Sequence, residues 1–369
     1  MQRSTTDQTI LCIVMPTWVG DACMATPTLR ALRNAFPENK IVGVMRPVIR
    51  DVLEHAWGDD RPWIDEALLF NKRAGPTAGS RWGLIRQLRR SGANVAILLT
   101  NSLWSAAVLR LAGVGRVVGY RRDGRGLLLS DAVEVPRNGK KLLPISPVDY
   151  YLQLAHWLGC ESHNRNMQLG VTGLDEQLAD GLWRQIGFST AKPTIALNSG
   201  SANSTAKLWP VEHVQELARR LASELEVQVL LHCGPADRET SNRIADNVAD
   251  PRVASMGIAE QLPIGLSKAV LKRSTAVVST DSGPRHLAVA FDRPVVSLFG
   301  PIAPQWTSTY NRPEIVLAEQ PPRGLHDITV DRVFAAVKQS IAADASSQKK
   351  SMFRESIRMG RPGLAKHSS

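Results

Sequence analysis

The sequence predicts an α/β protein of two domains, each built on a mostly parallel sheet. Three observations predict it. The chain has 369 residues, more than one hydrophobic core usually holds. Short β-branched runs alternate with stretches of helical spacing, the pattern that crossovers between parallel strands produce. That alternation stops near the middle of the chain and then starts again.

In the first half, strands are expected at Ile10–Met15, Ile41–Met45, Val95–Leu99 and Arg116–Gly119. Helices are expected at Ala22–Phe36, Arg81–Arg90, Ser102–Ala112 and Pro147–Leu158. The composition turns polar between Cys160 and Gly173, which places the domain boundary there, before an amphipathic stretch at Asp175–Ile186. The second half repeats the alternation with strands at Thr194–Asn198, Val227–His232, Ala276–Ser279 and Val295–Phe299, and helices at Val211–Leu225, Arg238–Val248, Pro284–Ala290 and Val330–Ile341. The expected division is 1–165, 166–343 and a basic, disordered tail over 344–369, where apolar periodicity has ceased. No fixed-period repeat links the halves.

No apolar run reaches the roughly 18 residues of a membrane-spanning helix, and Ile10–Met15 is too short for a signal-peptide core. The four cysteines are scattered, without a Cys-x-x-Cys pair or clustered histidines. These features point to a cytoplasmic protein. The net charge of +11 suits an anionic membrane surface or an acidic substrate. Nucleic acid is disfavoured, because aromatics are few and not interleaved with the basic residues. There is no Gly-x-Gly-x-x-Gly, Walker loop or Gly-x-Ser-x-Gly elbow, so dehydrogenase, P-loop kinase and esterase readings lose their main support. There is also no Asp-x-Asp pair to hold a divalent cation on a diphosphate.

Four segments carry candidate chemistry, each where a strand ends and a helix begins, as ligand-binding loops of open α/β sheets do. The first is Pro16–Asp21, in which Thr17, Trp18 and Gly20 surround a cleft position and Asp21 either caps the helix or takes a proton from an attacking hydroxyl. In the second, the small residues Ser199 and Gly200 expose backbone N–H groups, and Lys207 is either solvated or set against a leaving diphosphate. The third places Asp237 and Glu239 at a helix start, where Glu239 is either a first-turn acid or a ligand for ribose hydroxyls. In the fourth, Ser279–Ala288, Ser282 and Gly283 aim N–H groups at a diphosphate, Asp281 faces sugar hydroxyls, and His286 is either packed or in the cleft.

Pro16–Leu32 (PTWVGDACMATPTLRAL) resembles the opening motif of glycosyltransferase family 9, the lipopolysaccharide heptosyltransferases. Lys207-Leu208-Trp209-Pro210, Asp281-Ser282-Gly283-Pro284-Arg285-His286 and the stretch Arg293–Pro304 resemble later motifs of that family, in its order. The loop Asn198-Ser199-Gly200 departs from the family's Pro-Gly-Ala form, and similarity is weak between about 50 and 190. The resemblance implies the GT-B architecture, two Rossmann-like domains facing a central cleft, acceptor on the first and nucleotide sugar on the second. It also implies that the helix Val330–Ile341 packs back across the first domain.

On this resemblance Asp21 is the general base and Lys207 the charge on the departing nucleotide. Ser199, Gly200, Lys207, Glu239, Asp281, Ser282, Gly283 and His286 bind the donor; Thr17, Trp18 and Gly20 bind the acceptor. The implied reaction is an inverting, metal-independent transfer of heptose from ADP-heptose to a lipid-linked glycan acceptor, the lipopolysaccharide inner core. No cofactor is implied, and the enzyme would work at the inner face of the cytoplasmic membrane. The competing readings are a nucleotide-sugar epimerase on the same fold and a non-catalytic glycan-binding protein.

Overall fold

The structure, a computed structural model, describes residues 9–55, 61–71, 81–198, 200, 208–300, 303–310, 314–319 and 323–343. Its first sheet comprises β1 (Leu11–Val14), β2 (Ile41–Met45), β3 (Glu66–Leu69), β4 (Val95–Leu98), β5 (Arg116–Tyr120) and β6 (Asp131–Val133). Helices α1 (Val19–Ala35), α2 (Pro47–Leu53), α3 (Arg81–Ser91) and α4 (Leu103–Leu111) make the crossovers between them. A short hairpin, β7 (Arg137–Asn138) and β8 (Lys141–Leu142), precedes α5 (Pro147–Trp157). The strands run in the order β3-β2-β1-β4-β5-β6, every pair parallel.

After α6 (Gly173–Ile186) the same order recurs. Strands β9 (Thr194–Asn198), β10 (Gln228–Leu231), β11 (Val253–Ser255), β12 (Ala276–Thr280), β13 (Val295–Phe299) and β14 (Ile315–Ala318) lie as β11-β10-β9-β12-β13-β14, again all parallel. Around them stand α7 (Val211–Glu224), α8 (Arg238–Val248), α9 (Ile264–Arg273), α10 (Gly283–Ala290) and α11 (330–343). In each sheet the winding reverses beside the central strand, between β1 and β4 and between β9 and β12. The carboxyl ends of these strands border the crevice in which such sheets bind ligands.

Sequence and structure differ in places with a physical cause. β3, β6, β11 and β14 lie towards or at the sheet edges and are only three or four residues long, too short for alternation to register. α9 was unmarked because seven consecutive residues, Gly265–Leu271, are buried, including Ser267 and Lys268, which blurs its amphipathic pattern. The last helix departs from expectation: α11 packs on the second domain. Val333, Phe334, Ala336 and Val337 join Trp209, Leu217 and Leu221 in one core, and Trp209 Nε1 donates to the Ile328 carbonyl at 3.0 Å. Arg220 adds a 2.5 Å ion pair with Asp331 and lies 4.4 Å from the Phe334 ring centre.

The two domains share a core across their boundary. Ala22, Cys23 and Ala25 of α1 belong to the same buried cluster as Leu287, Ala288 and Val289 of α10 and Leu271 of α9. α1 is consequently buried without interruption from Ala22 to Leu29. Pro27 lies inside it and lacks the N–H that would bond the Cys23 carbonyl. The Thr26 hydroxyl donates to that carbonyl instead, at 2.7 Å, and accepts from the Gln168 backbone N–H at 3.1 Å. Arg30, one turn on, donates to the carbonyls of Asn164 and Asn166, so the connection between domains is bound to the helix that follows β1.

A second junction lies at Lys268, whose side chain is fully buried. Its ammonium donates to the carbonyls of Asp51 (2.9 Å) and Glu54 (3.3 Å) at the end of α2, and sits 3.5 Å from Asp175 of α6. Asp175 also forms a capping box with Thr172, so that the start of the second domain and the end of α2 meet on one charge. Gly170 and Gly265 are glycines because a Cβ there would collide with the His55 carbonyl and the Asp175 carboxylate. Among the described residues no helix is long and apolar enough to cross a membrane.

Candidate active site

The loops at the two winding reversals face each other. β1 delivers Thr17 and Trp18 to the surface, Trp18 being 55% exposed, and α1 begins immediately afterwards. Trp18 is the capping position, its side chain makes no capping hydrogen bond, and Asp21 lies in the first turn. Burial, and next the negative charge of Asp281, push its carboxyl from 3.8 up to about 6. A carboxylate serving mainly to satisfy helix N–H groups would be held low instead. Burial and the nearby Asp21 charge likewise keep the Tyr151 phenol of α5 protonated.

From the other domain, β12 leads into Asp281 and Ser282 and then α10. Asp281 is 9% exposed and accepts a 3.2 Å hydrogen bond from the Thr307 hydroxyl. His286 is buried, and its ring lies so close to α1 that a Cβ at Gly20 would sit 2.7 Å from His286 Cδ2. A Cβ on Gly283 would touch Val19 at 3.4 Å. The glycines thus let the first turns of α1 and α10 approach, bringing Gly20, Asp21, Asp281, Ser282, Gly283 and His286 into one cleft. The N–H groups that begin α10 have no intrahelical acceptor, which makes that end receptive to an anion.

The loop after β9 is organised by Asn198. Its Nδ2 donates to the Gly200 carbonyl at 3.2 Å, to Ser282 Oγ at 3.0 Å and to Ser279 Oγ at 3.3 Å. His232 faces its Oδ1 at 3.4 Å, and burial lowers that imidazole to about 4, so it is neutral. Gly200 is tight against Asp237, whose carboxylate a Cβ would meet at 2.8 Å. Ser199 and Lys207 lie outside the described residues. Glu239 is exposed on the first turn of α8 and makes no hydrogen bond or ion pair with the cleft cluster among the described residues.

Residues that sequence reasoning did not single out complete the surroundings. Arg285 is 1% exposed and pairs with Glu314 through Nε (2.6 Å) and Nη2 (2.8 Å). Burial alone would raise Glu314, but the hydrogen bonds and charge of Arg285 outweigh it and hold the carboxyl below its usual range. On the first domain, Arg121, Arg122, Arg137 and Lys140 line an open cavity of about 630 Å³ beyond β5. Arg121 and Arg122 have carboxylate partners in Glu134 and Asp123, whereas Arg137 and Lys140 have none among the described residues. Tyr150, next to Tyr151, hydrogen-bonds Asn101 at 3.0 Å and also bonds Arg122, so consecutive residues of α5 reach towards Asp21 and towards this basic cavity.

Comparison with known proteins accords with this arrangement. Lipopolysaccharide heptosyltransferase 2 of Escherichia coli K12 is 29% identical over 302 residues, covering 80% of this chain and 84% of that protein. Lipooligosaccharide heptosyltransferase 2 of Haemophilus ducreyi is 24% identical over 354 residues, covering 89% and 99%. Among solved structures, the glycosyl transferase family 9 protein of Veillonella parvula superposes with a TM-score of 0.78 at 20% identity, covering 91% of this chain and 98% of that one. E. coli ADP-heptose LPS heptosyltransferase II does so with 0.74 at 26% identity, covering 91% and 99%. The fold is the GT-B arrangement of those enzymes. The sequence profile of glycosyltransferase family 9 (heptosyltransferase) matches residues 81–325, and with the opposed loops of Asp21 and Asp281 on a twice-wound α/β frame, it makes the chain a member of that family.

Proposed function

We propose that the protein transfers a heptose from ADP-heptose to the inner core of a lipopolysaccharide acceptor, by a single inverting displacement with Asp21 as general base. The observation that carries the reading is the Asp21 carboxyl, half-buried in the first turn of α1 and raised to about 6. A base with that value is ionised at neutral pH yet retains appreciable proton affinity.

In the proposed step the acceptor hydroxyl gives its proton to Asp21 while its oxygen bonds the anomeric carbon from the face opposite ADP. The bond from that carbon to the diphosphate oxygen breaks, and its electron pair leaves with ADP. The N–H groups of Ser282 and Gly283 at the start of α10, together with Lys207, would receive the developing charge. Asp281 and His286 would contact the sugar, Glu239 the ribose, and Ser199 and Gly200 the phosphates. Thr17, Trp18 and Gly20 would border the acceptor hydroxyl. The excess of cations at Arg121, Arg122, Arg137 and Lys140 suits the acidic groups of a core oligosaccharide. The names of the E. coli relatives, which specify lipopolysaccharide and ADP-heptose, support the substrate assignment. The proposed division of the chain into 1–165 for acceptor, 166–343 for donor and a tail over 344–369 follows, as does work at the inner membrane surface.

The test is calorimetric titration with ADP, UDP and GDP in chelator, followed by transfer assays with the matching sugar donors and lipid-A-type acceptors. Selective ADP binding and heptose transfer without metal are expected. Transfer by Asp21→Ala at the wild-type rate would remove the base assignment, and preference for UDP or GDP would remove the heptose.

A further inference from the structure

Residues 303–310, which lie between β13 and β14, grip both domains at once. On the second domain, the guanidinium of Arg285 is fixed by Glu314 and lies 4.9 Å from the Phe299 ring centre. Its Nη1 donates to the Thr307 carbonyl at 2.9 Å and to the Thr307 hydroxyl at 3.2 Å. Because an arginine cannot accept, the Thr307 hydroxyl must point its own hydrogen elsewhere, and it reaches Asp281 Oδ1 at 3.2 Å. The chain of donors runs one way, from Arg285 through Thr307 to Asp281, and Arg285 Nη1 also lies 3.6 Å from Asp281 Oδ1.

On the first domain, Ser146 at the start of α5 donates to the Ser308 carbonyl at 2.7 Å. The Tyr310 hydroxyl donates to Asp149 Oδ2 at 2.6 Å, and Arg165 Nε holds Asp149 Oδ1 at 2.5 Å. The Arg165 guanidinium in turn lies 5.3 Å from the Tyr310 ring centre, closing a triangle. α5, which carries Ser146 and Asp149, is the helix whose Tyr151 senses Asp21.

The two ends of this segment differ in strength. Arg285 and Glu314 are nearly buried, and breaking a buried ion pair leaves an uncompensated charge. Tyr310 is 40% exposed and the Arg165 side chain 52% exposed, so the contacts among Tyr310, Asp149 and Arg165 compete with water and are individually weak, whereas the Ser146 that holds Ser308 is buried. Opening of the cleft therefore releases the Tyr310 end first and leaves the Arg285 end in place.

We infer that residues 304–310 form a clasp between the domains that sets the position of Asp281 when the cleft closes, with Arg165, Asp149 and Tyr310 as its catch and Arg285 and Thr307 as its arm. Thr307 and Tyr310 are positioning residues in this scheme. The effect on catalysis rests on the proposed role of Asp281 as a ligand of the donor sugar, whereas the clasp itself does not.

The experiment uses the full chain with Tyr310→Phe, Thr307→Val and the double variant. Hydrogen exchange over 303–310 reads the clasp directly, and Tyr310→Phe is expected to accelerate it while the melting temperature stays put. ADP affinity by calorimetry is expected to stay within about twofold, because the catch does not touch the nucleotide. With ADP-heptose and acceptor saturating, kcat is expected to fall about five- to tenfold in each single variant, and no further in the double variant than in Thr307→Val. Asp149→Asn is expected to reproduce Tyr310→Phe. Unchanged exchange in Tyr310→Phe, or kcat losses that multiply in the double variant, overturns the clasp. If wild type transfers no heptose, the proposed reaction fails, and hydrogen exchange still decides whether the clasp exists.

Discussion

Replacing Asp21 by Asn should abolish transfer and at the same time make the protein harder to unfold at neutral pH. The carboxyl is raised from 3.8 to about 6 by burial and by Asp281, so the folded protein pays for ionising it. A group with a raised folded pKa stabilises fully only below its unfolded value, and that contribution is lost as pH climbs through the folded one. Between about pH 4 and pH 6 the wild type thus loses stability, and above this window the loss is constant. A shift of about two units corresponds to about 3 kcal/mol. Asn has nearly the shape of the protonated acid and no charge to desolvate, so it avoids this loss. Urea unfolding of both proteins should show an advantage for Asp21→Asn of about 3 kcal/mol at pH 8 and only about 1 kcal/mol at pH 4.5. An advantage that does not vary with pH, or a less stable variant at pH 8, would refute the claim that Asp21 is held against its solvation preference.

Three further outcomes are expected. In Asp281→Asn, residual transfer should show the acidic limb of its kcat/KM profile below that of wild type, because the charge that helps to raise Asp21 is gone; an unmoved limb would separate the two carboxylates. Gly20→Ala places a Cβ 2.7 Å from the His286 ring, so it should cost about 1–3 kcal/mol in thermal unfolding and lower kcat more than tenfold, whereas Ala at the uncrowded Gly181 should do neither. Arg137→Ala combined with Lys140→Ala should raise the acceptor KM severalfold with the donor KM unchanged, as steady-state kinetics varying one substrate at a time will show.

Much of the frame was legible because central parallel strands such as Ile41–Met45, and β9 through Ile195–Leu197, are continuous apolar runs between helical periods. The candidate site could be located at its glycines and acids, since Gly20, Asp21, Asp281 and Gly283 occupy the junctions between strand and helix. What stayed hidden depends on contacts distant in sequence. Arg285 reads as a polar residue on a short helix, and only the fold brings Glu314 to it, 29 positions away. Asp149 and Tyr310 are 161 positions apart and carry no local pattern. The packing of α11 on the first domain was expected from the resemblance, since its apolar face alone fits either domain, and the choice is made by Trp209 and Arg220. Asn198 ends a strand like any polar residue until Ser279 and Ser282 arrive beside it.

The buried ammonium of Lys268 limits how this molecule can move. Pulling α2 away from α9 would take from a fully buried ammonium its two carbonyl acceptors and leave it only Asp175, a steeper penalty than parting the exposed Tyr310 from Asp149. The molecule is thus bound like a book, with its spine at Lys268 and its fore-edge at Tyr310. On the proposed reading substrates would enter at the fore-edge, where the contacts yield more readily than at the spine.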